Sequence, residues 1–562
     1  MLFSACGGAT EGRGDPGGGG AVPFEDVDAS AATDNPIATG ATVASKIDFL
    51  LVVDDSASMG DKAKLLAGSL GTLLRRVVPS RDVHLGVIST SLGSMGGDVC
   101  LSDGQAARAH LATTRGDGTT VAPNGVLSFS GDIEAFVRDA QALVTGLGER
   151  GCAFEAQLES AYRFLSAPDP WVEVRVDPSH QVDLGSSSEV DVTLLEQRAA
   201  FLRPDSLVVV LMLTDEDDSS VDPAAVGGQG WAFAAHQFPG STVFRPDGRS
   251  TTAPRATSTC ATSPASADCT SCGFAATCNT ADPACRKIKD DPECRKNGGY
   301  YGPTEDHLNV RFHRMKERYG IDPQYPLSRY VDALTRVRVP DRASEHVVTK
   351  DGSGFKNIGP YVGTPKCTNP LFAAKLPSQP GDPLCNLPVG PRSKDLVVFA
   401  LVGGVPESLV STSVEWNAIL GRNPDAFDFT GIDPHMVQST SPRSGLPAPG
   451  AIGDNGLDPI HGREWETAGD DLQYACTFAL PTARTCTPVD AVCECASGKA
   501  PPLCSGPNVQ TRAKAYPSIR ELRLVKELGD RGIVGSICPQ DANAGYTSTM
   551  NHLADALAPR LE

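Results

Sequence analysis

At 562 residues, the chain is long enough for about three or four domains of ordinary size, or for one domain carrying large insertions. Its 40% hydrophobic and 21% charged residues permit a sizeable core, while 57 glycines and 43 prolines point to long irregular stretches. A net charge of -19 without any basic run argues against a nucleic-acid partner and suits a protein that attracts cations, and no stretch reaches the ~20 apolar residues that span a bilayer.

The chain opens with Met1, Leu2, Phe3, Ser4 and Ala5 before Cys6 and Gly7. Small residues before a cysteine are similar to the end of a bacterial lipoprotein signal, in which that cysteine is lipidated. The charged and apolar regions of an export signal are missing, so the translation start is expected upstream. Glycine rather than aspartate after the cysteine implies an outer-membrane destination. Of 17 cysteines, most lie in clusters typical of an oxidising compartment, and setting Cys6 aside leaves an even number for disulfides. Residues 1–45 then read as a lipidation site and a flexible stalk of Gly, Ala, Asp, Thr and Pro.

Residues 46–53 (KIDFLLVV) form a continuous apolar run ending in acidic and small residues, the pattern of a strand buried on both faces of a parallel sheet. Residues 63–78 repeat Leu at helical spacing and stop at Pro79; 83–89 read as a second strand. Helices are predicted over 132–143 and 154–165, and buried strands over 207–214 and 396–402. A helix over 518–528, a strand over 533–538 and a helix over 547–557 close the chain. Strands alternating with helices predict an α/β fold with a doubly wound, mostly parallel, Rossmann-like sheet. Two disulfide-rich insertions interrupt it. The expected division is a core first part at 46–215, a cysteine-rich insertion at 216–394 whose segment 327–337 is a crossover helix, a core strand at 395–402, a second insertion at 403–515, and a closing helix-strand-helix at 516–562.

The first strand runs into Asp54, Asp55, Ser56, Ala57 and Ser58, a D-x-S-x-S pattern. Alternate residues of an extended turn point one way, so a carboxylate and two hydroxyls can converge on a hard cation. Such a turn lies at the C-terminal strand edge, where open α/β sheets place their ligands. Here the chain resembles the von Willebrand factor type A (VWA) family, whose metal-ion-dependent adhesion site adds a threonine from a second loop and an aspartate from a third. The resemblance covers 46–215 well, and 395–402 with 518–562 more loosely. It implies Asp54, Ser56, Ser58 and Asp215 as metal ligands and Mg²⁺, or Mn²⁺ or Ca²⁺, as the cofactor. At the family's threonine position stands Cys152, a soft thiol unsuited to Mg²⁺; water or Glu155 is then expected to supply the missing oxygen. Cys100 follows the second strand on the same sheet edge, which makes a Cys100–Cys152 disulfide the expected role of that cysteine. The acidic run Glu216, Asp217 and Asp218 beyond Asp215 reads as a solvated loop.

Cys269 with Cys272, and Cys493 with Cys495, lack the second ligand pair of a zinc site and read as disulfide cysteines. No G-x-S-x-G, H-E-x-x-H or phosphate-loop segment occurs, so no catalytic residue is expected and the chain is not read as an enzyme. The expectation is an exported, lipid-anchored protein of the outer membrane or cell surface. It touches the membrane only through its anchor and binds a protein or polymer ligand through the cation. Two alternatives stand beside it: an envelope enzyme whose catalytic groups lie in the insertions, where Asp454, Asp458 and His461 occur, and a structural envelope component with a degenerate metal site.

Overall fold

The computed structural model describes residues 35–562, apart from 187, 239–240, 245–249, 264–265, 267, 277–280, 320–321, 351–355, 452–456, 488–491 and 496–500. Numbering the core elements in chain order, the strands are β1 (Lys46–Val53), β2 (Asp82–Ser89), β3 (Leu127–Ser128), β4 (Leu207–Leu213), β5 (Val397–Gly403) and β6 (Gly532–Ser536). They form one six-stranded sheet in the order β6-β5-β4-β1-β2-β3. All pairs are parallel except β2 with β3. This is a mostly parallel α/β sheet with a Rossmann-like core.

The apolar runs are continuous because each strand is covered on both sides. Along β1, Ile47, Phe49, Leu51 and Val53 enter one core, while Leu50 and Val52 enter the other. β4 does the same with Leu207, Val209, Leu211 and Leu213 against Val208, Val210 and Met212. Burying each such side chain contributes about 1.5–3 kcal/mol. The first core is closed by α1 (Gly60–Val77), α2 (Ile133–Gly146) and α7 (Thr547–Leu557); the second by α3 (Gln157–Leu165), α4 (Val192–Phe201), α5 (Leu327–Ala333) and α6 (Ile519–Glu527).

The insertions pack onto this body. Phe233, Tyr301 and Met315 of the first share the α3 to α6 core. The second contains an antiparallel sheet of Cys476–Thr485, Cys504–Gly506 and Val509–Ala515, whose Cys476, Phe478, Ala513 and Ala515 join the α1 core. Residues 35–44, read as the end of a stalk, are docked: the N–H groups of Ala38, Ala41 and Ala44 donate to the carbonyls of Thr335, Pro391 and Arg560 at 2.8, 2.9 and 3.0 Å. Cys6 and the rest of the stalk lie outside the described residues.

Seven disulfides join described cysteines: Cys100–Cys152, Cys260–Cys269, Cys272–Cys294, Cys367–Cys385, Cys476–Cys538, Cys486–Cys493 and Cys495–Cys504. They suit an oxidising, exported environment. No helix among the described residues is long and apolar enough to cross a membrane.

Candidate functional site

The chain runs outward from β1 to β2 on one side and returns to place β4 on the other, so the order reverses between β1 and β4. Loops at the C-terminal ends of these two strands meet at this reversal, the usual ligand crevice of an open α/β sheet. Asp54 follows β1 and Asp215 follows β4. The Asp54 N–H donates to the Leu213 carbonyl at 2.9 Å, carrying the parallel ladder one residue past the strands.

Within the β1 turn, Asp54 Oδ1 accepts the Ser56 N–H at 2.9 Å and Oδ2 accepts the Thr214 hydroxyl at 2.9 Å. Ser58 Oγ donates to Asp215 Oδ2 at 2.7 Å, bridging the two loops. Asp55 points to the other side. Its Oδ1 accepts the hydroxyls of Ser89 and Ser91, and its carbonyl accepts the Gly151 N–H at 2.7 Å. A side chain at Gly151 would put its Cβ 2.3 Å from Asp55 Oδ1, so this close approach requires glycine. Ser91 Oγ also accepts the Cys152 N–H at 2.7 Å. The sulfur of Cys152 is bonded to Cys100, so the second loop offers no thiol. Glu155, three residues on, is 1% exposed.

The three acidic residues after Asp215 each hold a partner, and the burial of Asp218 corrects the expectation of a solvated loop. Glu216 accepts from Lys514 Nζ at 2.9 Å. Asp217 Oδ1 accepts the Arg520 N–H at the start of α6 at 2.7 Å. Asp218 is buried: it accepts the Leu158 N–H at the start of α3 and pairs with Arg520 at 3.2 Å. The two helix N-termini need acceptors for their orphan donors, and these carboxylates supply them.

Two lysines absent from the sequence reading complete the site. Lys62, 1% exposed on the first turn of α1, places Nζ 2.7 Å from Asp215 Oδ2 and 2.8 Å from the Ser58 carbonyl. Lys514, from the second insertion, lies 3.3 Å from the same oxygen. Burial alone would raise the Asp215 carboxyl, but Lys514 and Lys62 bring it down to about 2. Asp54 has no such partner: burial, then the charge of Asp215, push it up to about 7. Burial and the charges of Glu216 and Asp54 raise Glu155 as well.

The arrangement thus sets the carboxylates of Asp54, Glu155, Asp215 and Glu216 against the ammonium groups of Lys62 and Lys514. Ser56 Oγ, Glu155 Oε2 and Asp215 Oδ1 are buried without a hydrogen-bond partner among the described residues. Hard oxygen donors, carboxyl groups that burial and mutual repulsion hold toward their neutral form, and unpartnered acceptors fit a hard divalent cation. Asp54, Ser56, Ser58 and Asp215 could hold it, with Glu155 buried beside them; Ser58 here donates to Asp215. No protein-family model matches the chain, and no curated protein matches it.

Proposed function

We propose that this chain is a cell-envelope protein built on a VWA-type domain, which binds a protein or polymer ligand through a divalent cation held by Asp54, Ser56, Ser58 and Asp215, with Glu155 replacing the oxygen that Cys152 cannot give. The observation that carries this reading is the meeting of the β1 and β4 loops at the sheet's reversal, with clustered carboxyl groups and buried acceptors left unpartnered. Mg²⁺ or Mn²⁺ held by these residues would supply Lewis acidity toward an acidic group of the ligand. The disulfides support export, and lipidation at Cys6 would anchor the protein at the outer membrane.

A second reading has its own observation. Lys62 Nζ sits directly on Asp215 and Ser58, as a built-in cation would, and Lys514 backs it. In that case the motif is a charge-neutral brace of a structural protein. Isothermal titration of the purified chain separates the two. Mg²⁺ or Mn²⁺ should bind the wild type, raise its thermal midpoint by the equivalent of about 2.7 kcal/mol at a hundredfold excess over Kd, and bind neither Asp54→Ala nor Asp215→Ala. Absence of cation-dependent heat in the wild type, together with its appearance in Lys62→Met, selects the lysine brace.

A further inference from the structure

The second insertion brings together three groups that the sequence left unconnected. His435, Asp458 and His461 each turn one donor atom inward, and the three atoms lie within 4.8 Å of one another. Both imidazoles are deeply buried, at 5% and 1% exposure.

Their outer nitrogens are committed. His435 Nδ1 donates to Asp433 Oδ1 at 2.8 Å, and His461 Nε2 donates to Glu464 Oε1 at 2.8 Å, a shorter contact than the 3.3 Å to Arg443. Glu464 is itself fixed by Arg443, whose Nε and Nη2 reach its two oxygens at 2.9 Å each. The backbone N–H groups of Ile460 and His461 hold Asp458 Oδ1 at 2.7 and 3.1 Å. With the protons on these outer nitrogens, His435 Nε2 and His461 Nδ1 present lone pairs inward; the carboxylates of Asp433 and Asp458 raise the His435 imidazole in spite of its burial, so the inward place is one for a cation, proton or metal. They face Asp458 Oδ1 at 3.2 and 3.8 Å, and neither nitrogen has a hydrogen-bond partner among the described residues. Three acceptors converging in a buried space repel one another unless a cation lies between them.

We infer that His435 Nε2, His461 Nδ1 and the Asp458 carboxylate form a binding site for a divalent transition metal, Zn²⁺ foremost, separate from the oxygen site at Asp54. Two imidazoles and a carboxylate are a zinc donor set, and tetrahedral coordination spaces donors roughly 3.3 Å apart. The distances to Asp458 already approach that value. Each histidine is backed by a carboxylate on its far nitrogen, the outer arrangement that orients metal-bound imidazoles and raises their basicity. Three protein ligands leave a fourth position for water. The metal would tie the segment of Asp433 and His435 to that of Asp458 to Glu464, and with them Gln438, whose amide donates to Asp217 Oδ2 at 2.9 Å on the β4 loop.

The test uses the purified full chain with Mg²⁺ in excess, so that the oxygen site does not compete. Zn²⁺ should bind at one equivalent, and Co²⁺ should give the visible absorption of a tetrahedral nitrogen and oxygen site. Asp54→Ala should leave both signals intact. His435→Gln and His461→Gln should abolish them, and Asp433→Asn should weaken binding about tenfold. Zinc-edge X-ray absorption of the wild type provides a readout independent of any variant's folding, and should report two imidazoles. No stoichiometric uptake by the wild type, an absorption edge without imidazole scattering, or unchanged binding in both histidine variants would overturn the assignment and leave a proton, shared between His435 and Asp458, as the cation.

Discussion

Asp218 lies three positions beyond Asp215, yet its carboxylate turns inward to cap α3, whose Leu158 N–H its removal would leave unsatisfied, and to pair with Arg520, which keeps the Tyr325 carbonyl and Asp322. Losing one partner of a buried, hydrogen-bonded pair costs about 3–5 kcal/mol. Urea unfolding of Asp218→Ala should therefore show a loss in that range, with Asp218→Asn losing less because an amide oxygen still accepts from Leu158. A loss below about 1 kcal/mol would return the run to the solvated loop its composition suggests. Composition misleads here because a cluster of acids looks alike whether each member faces water or a helix N-terminus. That the segments of Asp54 to Ser58 and of Asp215 meet at one sheet edge was legible, since each follows a buried strand. Lys62 was not, although its place four residues after Ser58, on the first turn of α1, was a usable signal. Lys514 stands 298 residues from Glu216, and no local pattern announces such a pairing. His435 was equally silent beside Asp458 and His461.

The strands β1, β4 and β5 could be read to within a residue because an unbroken apolar run between polar ends has few other ways to fold. Helix α1 begins at Gly60 rather than at Ala63, where its apolar rhythm starts. Helix α4 was missed: its apolar and polar positions barely segregate, and its clearest mark is the Asp191 side chain accepting the Leu194 N–H. The predicted crossover helix exists as α5, shortened to Leu327–Ala333, and Arg329 fastens it between Glu159 of α3 and Glu345. Next to Glu345, the strand His346–Lys350 is tied to the β4 loop by His346 Nε2, 3.0 Å from Asp222 Oδ2, with Nδ1 donating to the Gly359 carbonyl. Burial alone would lower this imidazole, but Asp222, helped by Gly359 and Glu345, holds it up to about 9. A raised histidine stabilises the fold fully below its unfolded value of about 6.5 and loses that contribution as pH rises through about 9. The wild type should thus lose about 3 kcal/mol more than His346→Gln between pH 6 and 9.5. Glu345, pushed up to about 7 by burial, shifts stability mainly below that window, although the loss of the neighbouring His346 charge would raise it further in the variant. Parallel pH profiles of the two proteins in urea would show that His346 is neutral in the fold.

The second insertion reaches back to the candidate site. Its strand Val509–Ala515 carries Lys514 to Asp215, and the Tyr516 N–H donates to the Asp215 carbonyl at 2.8 Å. The partner strand starts at Cys476, which is bonded to Cys538 just beyond β6, across a separation of 62 residues. This disulfide is a covalent tie, beside the bonds from Lys514 and Tyr516 to Asp215, between the insertion's sheet and the central sheet. In the chain-entropy account, closing a loop of that length stabilises the fold by about 4 kcal/mol, against roughly 2.5 kcal/mol for the short loop of Cys495–Cys504. Replacing Cys476 and Cys538 together by alanine should lower the urea midpoint accordingly, and the effect should be uneven in space. Amide exchange should quicken over 509–516, where Lys514 leaves Asp215, while β1 and β4 keep their protection because their cores remain covered on both faces. With less ammonium charge on Asp215, divalent cation should also bind more tightly than in the wild type. Uniformly faster exchange across both sheets would mean that the insertion and the core unfold as one unit; unchanged exchange at 509–516 would mean that packing of Phe478, Ala513 and Ala515 holds the insertion without the disulfide.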